Sequence, residues 1–544
     1  MKNHSNSLES LLLWTLILVT IVITPFFSYD PFNIPKFSVL FVFSVVILIL
    51  LVINRKILFS KNDKLILSLT FLFGFWSLLC SLISSADKVE TFYGITGRQT
   101  GFLTYMSLLV IFIAAITISS HSTSVKTLSV LIVSGLISSF YGLIQYLKLD
   151  NFDWINPYSP VIGFLGNPNF QSSLLGISAT AAFALISRDQ LLKSSFFLLF
   201  ILFSVFSINL TQSRQGYLVL ALGIAFSLYF RIKLSNSLNK FARAYLVLFF
   251  FGIMAVISDM LQKSPWPPII YKPSITYRGD FWRTGWNMTL DNPIFGVGLD
   301  GFRDNYRINK DQAAALRPIP DAVVDSAHNI FIDISSSGGF PLLIIYILII
   351  SYTLRAAFKI FKRSNSQNLV LSGIFSCWVA FTAQSVISIS NIGLAVWGWV
   401  LSGLIIGYEK NTRQGDSKPI TLKTGSPKIA KIFGLIIGTL IVSPQVFVDA
   451  QFNSAVESKD YSKIYANALQ WPQSVKRITL MSEDLRINGF LVQSRELALE
   501  AIRLNPQSFE AWLVFARLPN SSEAEVTTAL NKLRELDPLN PGLK

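Results

Sequence analysis

The feature that most constrains this chain is a series of thirteen apolar runs, each near the length of about 20 residues that a helix needs to cross a bilayer. Charged residues make up only 14% of the chain, whereas soluble domains carry about 25%. We therefore expect an all-α, polytopic transmembrane protein with about 12–13 spans. The runs lie near residues 11–29, 36–54, 64–84, 102–119, 127–147, 169–187, 193–209, 216–230, 244–262, 341–358, 369–390, 393–408 and 430–448.

This composition excludes a soluble enzyme, a disordered chain and a secreted disulfide scaffold. The two cysteines, Cys80 and Cys377, both lie inside apolar runs, where a cysteine usually packs as a small apolar residue. The first run follows a short polar start and has no small-residue cleavage site after it. We therefore expect a retained span rather than a signal peptide.

The net charge is +15, from 46 Lys and Arg against 31 Asp and Glu. In a membrane protein such an excess mainly sets the topology, so we expect no nucleic-acid partner. Every second loop is short and basic, which by the positive-inside rule places these loops and the N-terminus in the cytoplasm and the C-terminus outside. Their basic residues are Arg55, Lys56, Lys61, Lys64, Arg188, Lys193, Arg231, Lys233, Lys240, Arg243, Arg355, Lys359, Lys362, Arg363, Lys410, Arg413, Lys418, Lys423 and Lys428.

The chain divides into a polytopic membrane domain (residues 1–429), an additional transmembrane helix (430–448) and an extracytoplasmic tail (449–544). The outward loop at about 263–327 is the longest, and loops of that length are usually functional. In the tail, Pro472, Pro506 and Pro538 each follow an amphipathic helical pattern, at intervals of 34 and 32 residues. That period resembles a tetratricopeptide repeat, although a plain helical hairpin is the alternative.

Four arginines in the outward loops are candidate anion ligands. Arg214 stands in a connection of a few residues between two spans, at the membrane surface, where a guanidinium fork suits phosphate oxygens. Contact with lipid headgroups is the alternative. Arg98 is flanked by glycines that would let backbone amides approach an anion. Arg278 and Arg283 lie in the long loop, and Arg278 would share a helix face with Trp282, so that a cation–π contact is its alternative role.

His328 is the candidate catalytic residue. It stands where the long loop returns to the membrane, close to Asp325, Asn329 and Asp333. With an unperturbed pKa near 6.5, histidine can take or give a proton at neutral pH. Three scattered histidines and two membrane cysteines provide no zinc ligand set, and the chain has neither an Asp-x-Asp pair nor a Walker phosphate loop. We therefore expect no metal, no cofactor and no ATP-driven transport.

Taken together, the motifs resemble the O-antigen ligase and O-antigen polymerase-like family of bacterial membrane glycosyltransferases, over roughly residues 60–408. The motifs are Gly163-Phe164-Leu165-Gly166-Asn167-Pro168-Asn169-Phe170, Ser213-Arg214-Gln215-Gly216, Arg278 through Trp282, Asp291-Asn292-Pro293-Ile294-Phe295-Gly296-Val297-Gly298, Ala327-His328-Asn329 and Gly338-Gly339-Phe340-Pro341. Their order along the chain, with a histidine at the end of one long outward loop, is similar to that family's pattern.

The resemblance implies a metal-independent, inverting transferase of the GT-C type in the cytoplasmic (inner) membrane. It would act on a polyprenyl-diphosphate-linked glycan and pass it to a glycan, lipid or protein acceptor. The resemblance assigns the diphosphate to Arg214 and Arg278, with Arg98 and Arg283 as further candidates, and the essential histidine to His328. Fixed positive charge would stabilise the leaving diphosphate without a metal.

Two other classes of function stay open. A transporter of a lipid-linked glycan should show related halves and charges at mid-membrane, whereas here the charges gather on one face. An envelope scaffold would recruit a protein partner through the repeat-like tail. The thirteenth span and the tail depart from the simplest twelve-span ligase pattern, which leaves the acceptor open.

Overall fold

The computed structural model describes residues 6–54, 64–84, 86–152, 154, 156, 159–187, 189–235, 237–263, 265, 267, 273–316, 323–363, 369–414 and 427–543. The predicted cytoplasmic residues Arg55, Lys56, Lys61, Arg188, Lys418 and Lys423 lie outside these ranges. Within them, the regular structure is entirely helical.

The membrane part contains α1 (Asn6–Ile21), α2 (Asn33–Ile53), α3 (Lys64–Ile83), α4 (Lys88–Tyr93), α5 (Phe102–Ile118), α6 (His121–Tyr146), α7 (Pro168–Leu185), α8 (Leu191–Leu210), α9 (Arg214–Leu234), α10 (Ala242–Met260), α11 (Pro273–Asp291), α12 (Phe302–Asn309), α13 (Gln312–Ala315), α14 (Ile330–Arg363), α15 (Leu369–Ile387) and α16 (Ile392–Gln414). The C-terminal part contains α17 (Pro427–Ser458), α18 (Tyr461–Ala468), α19 (Val475–Ile487), α20 (Leu491–Leu504), α21 (Phe509–Ala516) and α22 (Glu523–Leu536).

Each of the thirteen predicted apolar runs lies wholly or partly in a helix. Ten of the helices in the described residues are long and apolar enough to cross a membrane, namely α2, α3, α6, α8, α9, α10, α14, α15, α16 and α17. The helices α1 and α5 are apolar but shorter. These findings confirm a multi-pass helical membrane protein. The first helix ends at Ile21, before the predicted limit, because Pro25 follows and a proline disfavours helical backbone in the preceding residue.

The helix α16 is the most enclosed of these spans. Trp397 lies on it, fully buried, and its indole nitrogen donates to the Thr20 hydroxyl of α1 at 3.0 Å. A buried indole needs such a partner. This contact ties the beginning of the chain to one of its last spans.

The long helix α14 is broken at Gly339, which has a φ of 68° that side-chain-bearing residues rarely adopt. The motif of residues 291–298 forms hydrogen bonds on both sides of this break. The Phe340 amide donates to the Pro293 carbonyl at 2.8 Å, and the Val297 amide donates to the Ser336 carbonyl at 2.7 Å. A Cβ at Gly339 would lie 2.3 Å from the Ile294 carbonyl oxygen. Two of the sequence motifs, residues 291–298 and 338–341, are therefore one structural unit.

The loops predicted to face outward contact one another at one end of the bundle. Asp30 accepts the Gly97 amide at 3.0 Å, and its own amide lies 3.3 Å from both carboxylate oxygens of Asp449. Phe32 and Trp154 also pack together, with ring centroids 4.8 Å apart. At the opposite end, Arg363 pairs with Glu409 at 2.7 Å. The grouping of loops thus agrees with the charge alternation, while the side that faces outward stays a prediction.

The tail folds back onto this same end of the bundle. The helix α17 continues past the predicted boundary to Ser458, and five further helices follow it. Asp537, fully buried, binds Lys310 at 2.8 Å and Arg307 at 3.2 Å, and both of these cations lie in the long loop near α12. The tail is helical as predicted, and its tetratricopeptide-like pattern stays a prediction.

Candidate active site

His328 lies in a tight turn directly before α14, with its backbone in the left-handed region at a φ of 57°. Asp333 holds this turn, since its carboxylate accepts the Ala327 amide and the Ser326 hydroxyl, both at 2.7 Å. The Ser326 oxygen in turn accepts the His328 amide at 3.1 Å. Positive φ is uncommon for residues other than glycine and persists where surrounding contacts impose it. The turn therefore fixes the direction in which the imidazole leaves the backbone.

The imidazole of His328 is largely buried and makes no hydrogen bond to a described residue. It packs against the ring of Phe281, with 5.4 Å between the centroids. Burial, and after it the positive charge of Arg278, lower the pKa of His328 to about 3. The side chain is therefore neutral at neutral pH, which is the state that can accept a proton.

Arg278 lies on α11, largely buried and close enough to His328 to lower its pKa. Burial lowers the pKa of the Arg278 guanidinium itself, and no carboxylate of the described residues offsets this effect. The alternative role predicted for it, a cation–π contact with Trp282, is not found within the described ranges. A guanidinium that is partly withdrawn from water, without a carboxylate partner among the described residues, is well suited to receive an anionic ligand.

Arg98 is buried and paired with the segment that leads into His328. Its Nη1 atom donates to the Asp325 carbonyl oxygen at 2.5 Å and lies 3.3 Å from the Asp325 carboxylate. Burial raises the pKa of Asp325, but the positive charges around it, of which Arg98 contributes most and Lys476 next, together outweigh burial, so the pKa lies below its usual value. The Nε atom of Arg98 is buried without a hydrogen-bond partner among the described residues. Arg98 thus anchors one side of the His328 turn.

The glycine-containing loop around Arg98 is held by protein carboxylates. Asp300 accepts the Ile95 amide at 3.0 Å, the Thr100 amide at 3.1 Å and the Thr100 hydroxyl, and Asp30 accepts the Gly97 amide. The sequence predicted that these amides could approach an external anion. Three of them are instead bonded to the protein, which makes the loop a rigid support for Arg98.

Arg283 lies on α11, three residues after the buried Asp280, and is already paired with two carboxylates. Its Nε atom is 2.5 Å from Asp311, and its Nη2 atom is 2.6 Å from Asp280. The side chain is half exposed, whereas Asp280 is buried. These ion pairs join α11 to the segment before α13. Diphosphate binding by Arg283 stays a prediction.

Arg214 is the first residue of α9 and is exposed. The preceding Ser213 caps this helix by accepting the Gln215 amide, and its hydroxyl donates to the Asn169 side chain at 2.7 Å. Two more of the sequence motifs, residues 163–170 and 213–216, therefore meet here. Arg98 and Arg278 both lie close enough to His328 to affect its pKa, whereas Arg214 belongs to the cluster of residues 163–170 and 213–216.

Three residues that support the site were not predicted. Asp30 and Asp300 bond the loop around Arg98, and Lys476 of the tail donates to the Thr96 carbonyl at 2.9 Å. Asp300 stands two residues after the 291–298 motif, which was a usable signal. For Asp30 and Lys476 the sequence offers none, because their partners are 67 and 380 residues away.

Comparisons with known proteins indicate the class of protein to which this region belongs. Residues 198–347 match the O-antigen ligase family model. This range contains Arg214, Arg278 and His328. It also contains five of the motifs named above, those of residues 213–216, 278–282, 291–298, 327–329 and 338–341. The resemblance to the O-antigen ligase and polymerase-like family is therefore confirmed over residues 198–347, which match that family's domain within a multi-pass helical membrane protein.

Among curated proteins, the chain is similar to the teichuronic acid biosynthesis protein TuaE of Bacillus subtilis (strain 168). The two sequences are 24% identical over 153 residues. The matched region covers 27% of this chain and 29% of the length of that relative.

Proposed function

We propose that this protein is a membrane glycosyltransferase of cell-envelope polysaccharide synthesis. It transfers a polyprenyl-diphosphate-linked glycan to an acceptor on the outer side of the cytoplasmic membrane. The observation that carries this proposal is a partly buried, neutral imidazole, His328, beside a partly buried guanidinium, Arg278, that has no carboxylate partner in the described residues. The family match and the name of the relative support the glycan pathway.

In the proposed reaction, the oxygen of an acceptor hydroxyl attacks the anomeric carbon of the donor glycan. The bond from that carbon to the diphosphate oxygen breaks, and the polyprenyl diphosphate leaves with the electron pair. His328 takes the hydroxyl proton as general base, and Arg278 stabilises the negative charge that develops on the diphosphate. Attack opposite the leaving group inverts the anomeric centre.

The four arginines take different parts in this proposal. Arg278 and Arg214 bind the diphosphate, with Arg214 offering an exposed guanidinium at the membrane surface. Arg98 positions Asp325 and the His328 turn. Arg283 maintains the fold of the long loop through Asp280 and Asp311, with diphosphate binding as its further candidate role.

The test uses the full chain in proteoliposomes with a lipid-linked glycan extract, in the presence of EDTA because the proposed mechanism needs no metal. His328→Ala should lower the transfer rate about 10²- to 10⁴-fold while leaving donor binding intact. His328→Gln separates a base from an orienting group, because an amide can form hydrogen bonds but cannot take the proton away. His121→Ala, an exposed histidine at the opposite end of the bundle, is the matched control.

Wild-type transfer by His328→Ala would contradict the proposal, and Asp325 would then be the next candidate. Transfer by wild type that requires a divalent cation would contradict its metal-independent form. Movement of lipid-linked glycan across the vesicle membrane without transfer would favour the transporter alternative.

A further inference from the structure

The tail contacts the loop of residues 94–101, which we call the Arg98 loop, at the beginning of α19. Glu90, in the helix directly before this loop, accepts the Ser474 hydroxyl at 2.9 Å. The hydroxyls of Ser474 and Thr96 lie 3.1 Å apart. The first turn of α19 is therefore bonded both to the Arg98 loop and to the helix that leads into it.

Lys476 adds a charged contact at the same place. Its ammonium donates to the Thr96 carbonyl at 2.9 Å, which is its only hydrogen bond to a side chain or backbone of the described residues. A Cβ atom on Gly97 would lie 3.5 Å from the ammonium nitrogen. The ammonium thus lies against the two residues that precede Arg98. Hydrogen bonds from charged donors are stronger than those between neutral groups.

The Arg98 loop has a backbone that its surroundings must maintain. Three of its residues have positive φ values, which are 98° at Gly94, 93° at Gly97 and 55° at Gln99. Such a conformation at a residue other than glycine persists where surrounding contacts impose it. Carboxylates of the membrane domain supply some of these contacts, as described above, and Lys476 supplies one from the tail.

A displacement of the Arg98 loop would reach the candidate active site through Arg98 itself. Its Nη1 atom donates to the Asp325 carbonyl at 2.5 Å and lies 3.3 Å from the Asp325 carboxylate. Asp325 stands three residues before His328. Lys476 also acts on this carboxylate directly, since it comes next after Arg98 among the charges that lower the pKa of Asp325. A continuous series of contacts therefore joins the tail to the His328 turn.

We propose that the docked tail completes the candidate active site and that Lys476 is a positioning residue for glycan transfer. By holding the Arg98 loop, Lys476 keeps Asp325 and the His328 turn in the geometry that proton transfer needs. A chain with its tail undocked would hold this loop through the membrane domain alone and would transfer glycan slowly. This inference rests on the proposed transferase function and adds to it a residue from outside the family-matched range of 198–347.

The test replaces Lys476 in the full chain. Lys476→Met removes the charge and the donors but keeps an unbranched side chain, whereas Lys476→Arg keeps the charge and can still donate to the Thr96 carbonyl. Lys463→Met is the matched control, since Lys463 lies on α18 of the same tail, is 69% exposed and pairs with Asp460 at 3.1 Å. The measurements are kcat and donor KM in proteoliposomes, and amide hydrogen exchange in nanodiscs.

We expect Lys476→Met to lower kcat about tenfold, because a displacement of about 1 Å at a catalytic group can cost up to about 10²-fold. Donor KM should stay unchanged, because the residues proposed to bind the diphosphate are not altered. Amide exchange should rise in the Arg98 loop but not in α22, where the buried Asp537 still fixes the tail. Lys476→Arg should restore most of the lost rate, and Lys463→Met should match wild type.

Asp537→Asn tests the same dependence from a distant part of the tail. It loosens the docking of the tail without altering the Arg98 loop or the candidate active site. We expect faster exchange in the Arg98 loop together with a lower kcat. Normal kcat in this variant, with the tail shown by exchange to be undocked, would overturn the inference.

Wild-type kcat and unchanged loop exchange in Lys476→Met would also overturn the inference, and loss of transfer in His328→Ala in the same assay would leave the proposed function standing. An equal rise in exchange throughout the tail and the Arg98 loop, without rescue by Lys476→Arg, would overturn it as well, because the effect would then be a general loss of tail structure. Absence of transfer by wild type would refute the proposed function and, with it, the positioning role.

Discussion

Asp537 offers a test of whether the tail is fixed to the membrane domain. Its carboxylate is fully buried and bridges Lys310 at 2.8 Å and Arg307 at 3.2 Å, and the side chains of these two cations are only 1% and 8% exposed. Asp537→Asn keeps the size of the side chain and removes its charge, which leaves two buried cations with less compensation. Breaking a buried ion pair by removing one partner costs about 3–5 kcal/mol.

Because 1.4 kcal/mol corresponds to a factor of about ten, a cost of about 3 kcal/mol should raise the population of the undocked tail by roughly two orders of magnitude. Amide hydrogen exchange on the full chain in nanodiscs measures this opening in α21, α22 and α12. Glu535→Gln is the matched control, since Glu535 is 61% exposed and, among the described residues, pairs only with Lys532 on its own helix. If Asp537→Asn and the control exchange alike, the docking does not depend on this buried ion pair and the reasoning is refuted.

Three further outcomes are expected. Arg278→Lys keeps a charge but loses the bidentate fork, so donor turnover should fall by about tenfold or more. Arg214→Lys should act likewise, while the exposed control Arg503→Lys should not. Equal activity of all three variants would reduce Arg278 and Arg214 to structural or headgroup contacts. Asp300→Asn weakens the support of the Arg98 loop and should lower transfer without abolishing donor binding, as a donor-binding measurement can check. The pKa of about 3 for His328 lies below its unfolded value near 6.5, so between these pH values the unfolded chain binds one more proton than the folded chain. The free energy of unfolding should therefore fall as pH drops through that window, by up to about 1.4 kcal/mol per pH unit. When unfolding is measured from pH 7 to pH 4, His328→Gln should lack this part of the loss.

The helices of the membrane domain could be predicted from the sequence because hydrocarbon forces each span to satisfy its own backbone hydrogen bonds. An apolar run is therefore a local signal, and it located α2 and α9 without knowledge of any partner. The positions of His328 and Arg278 in the long loop were local signals as well. The sequence also pointed to residues 291–298 and 338–341, although not to the contact between them.

What could not be predicted depends on pairs of residues far apart in the chain. The sequence of the Arg98 loop suggested free backbone amides, but Asp30 and Asp300 occupy them from 67 and about 200 residues away. Arg98 and Arg283 both looked available to a diphosphate, and each has a carboxylate partner in the fold. Charge complementarity between distant segments leaves no periodic pattern, so only the structure distinguishes these arginines from Arg278.

That distinction has an energetic consequence for how the site works. Arg283 has two carboxylate partners and Arg98 has one, so their charges are compensated before any substrate arrives. Arg278 is partly buried, lowers the pKa of its neighbour His328, and has no such partner in the described ranges. A bound diphosphate would offset the cost of burying Arg278 and weaken its repulsion of a proton on His328. Donor binding should therefore raise the pKa of His328 from about 3 and make the imidazole a stronger base only once the leaving group is in place.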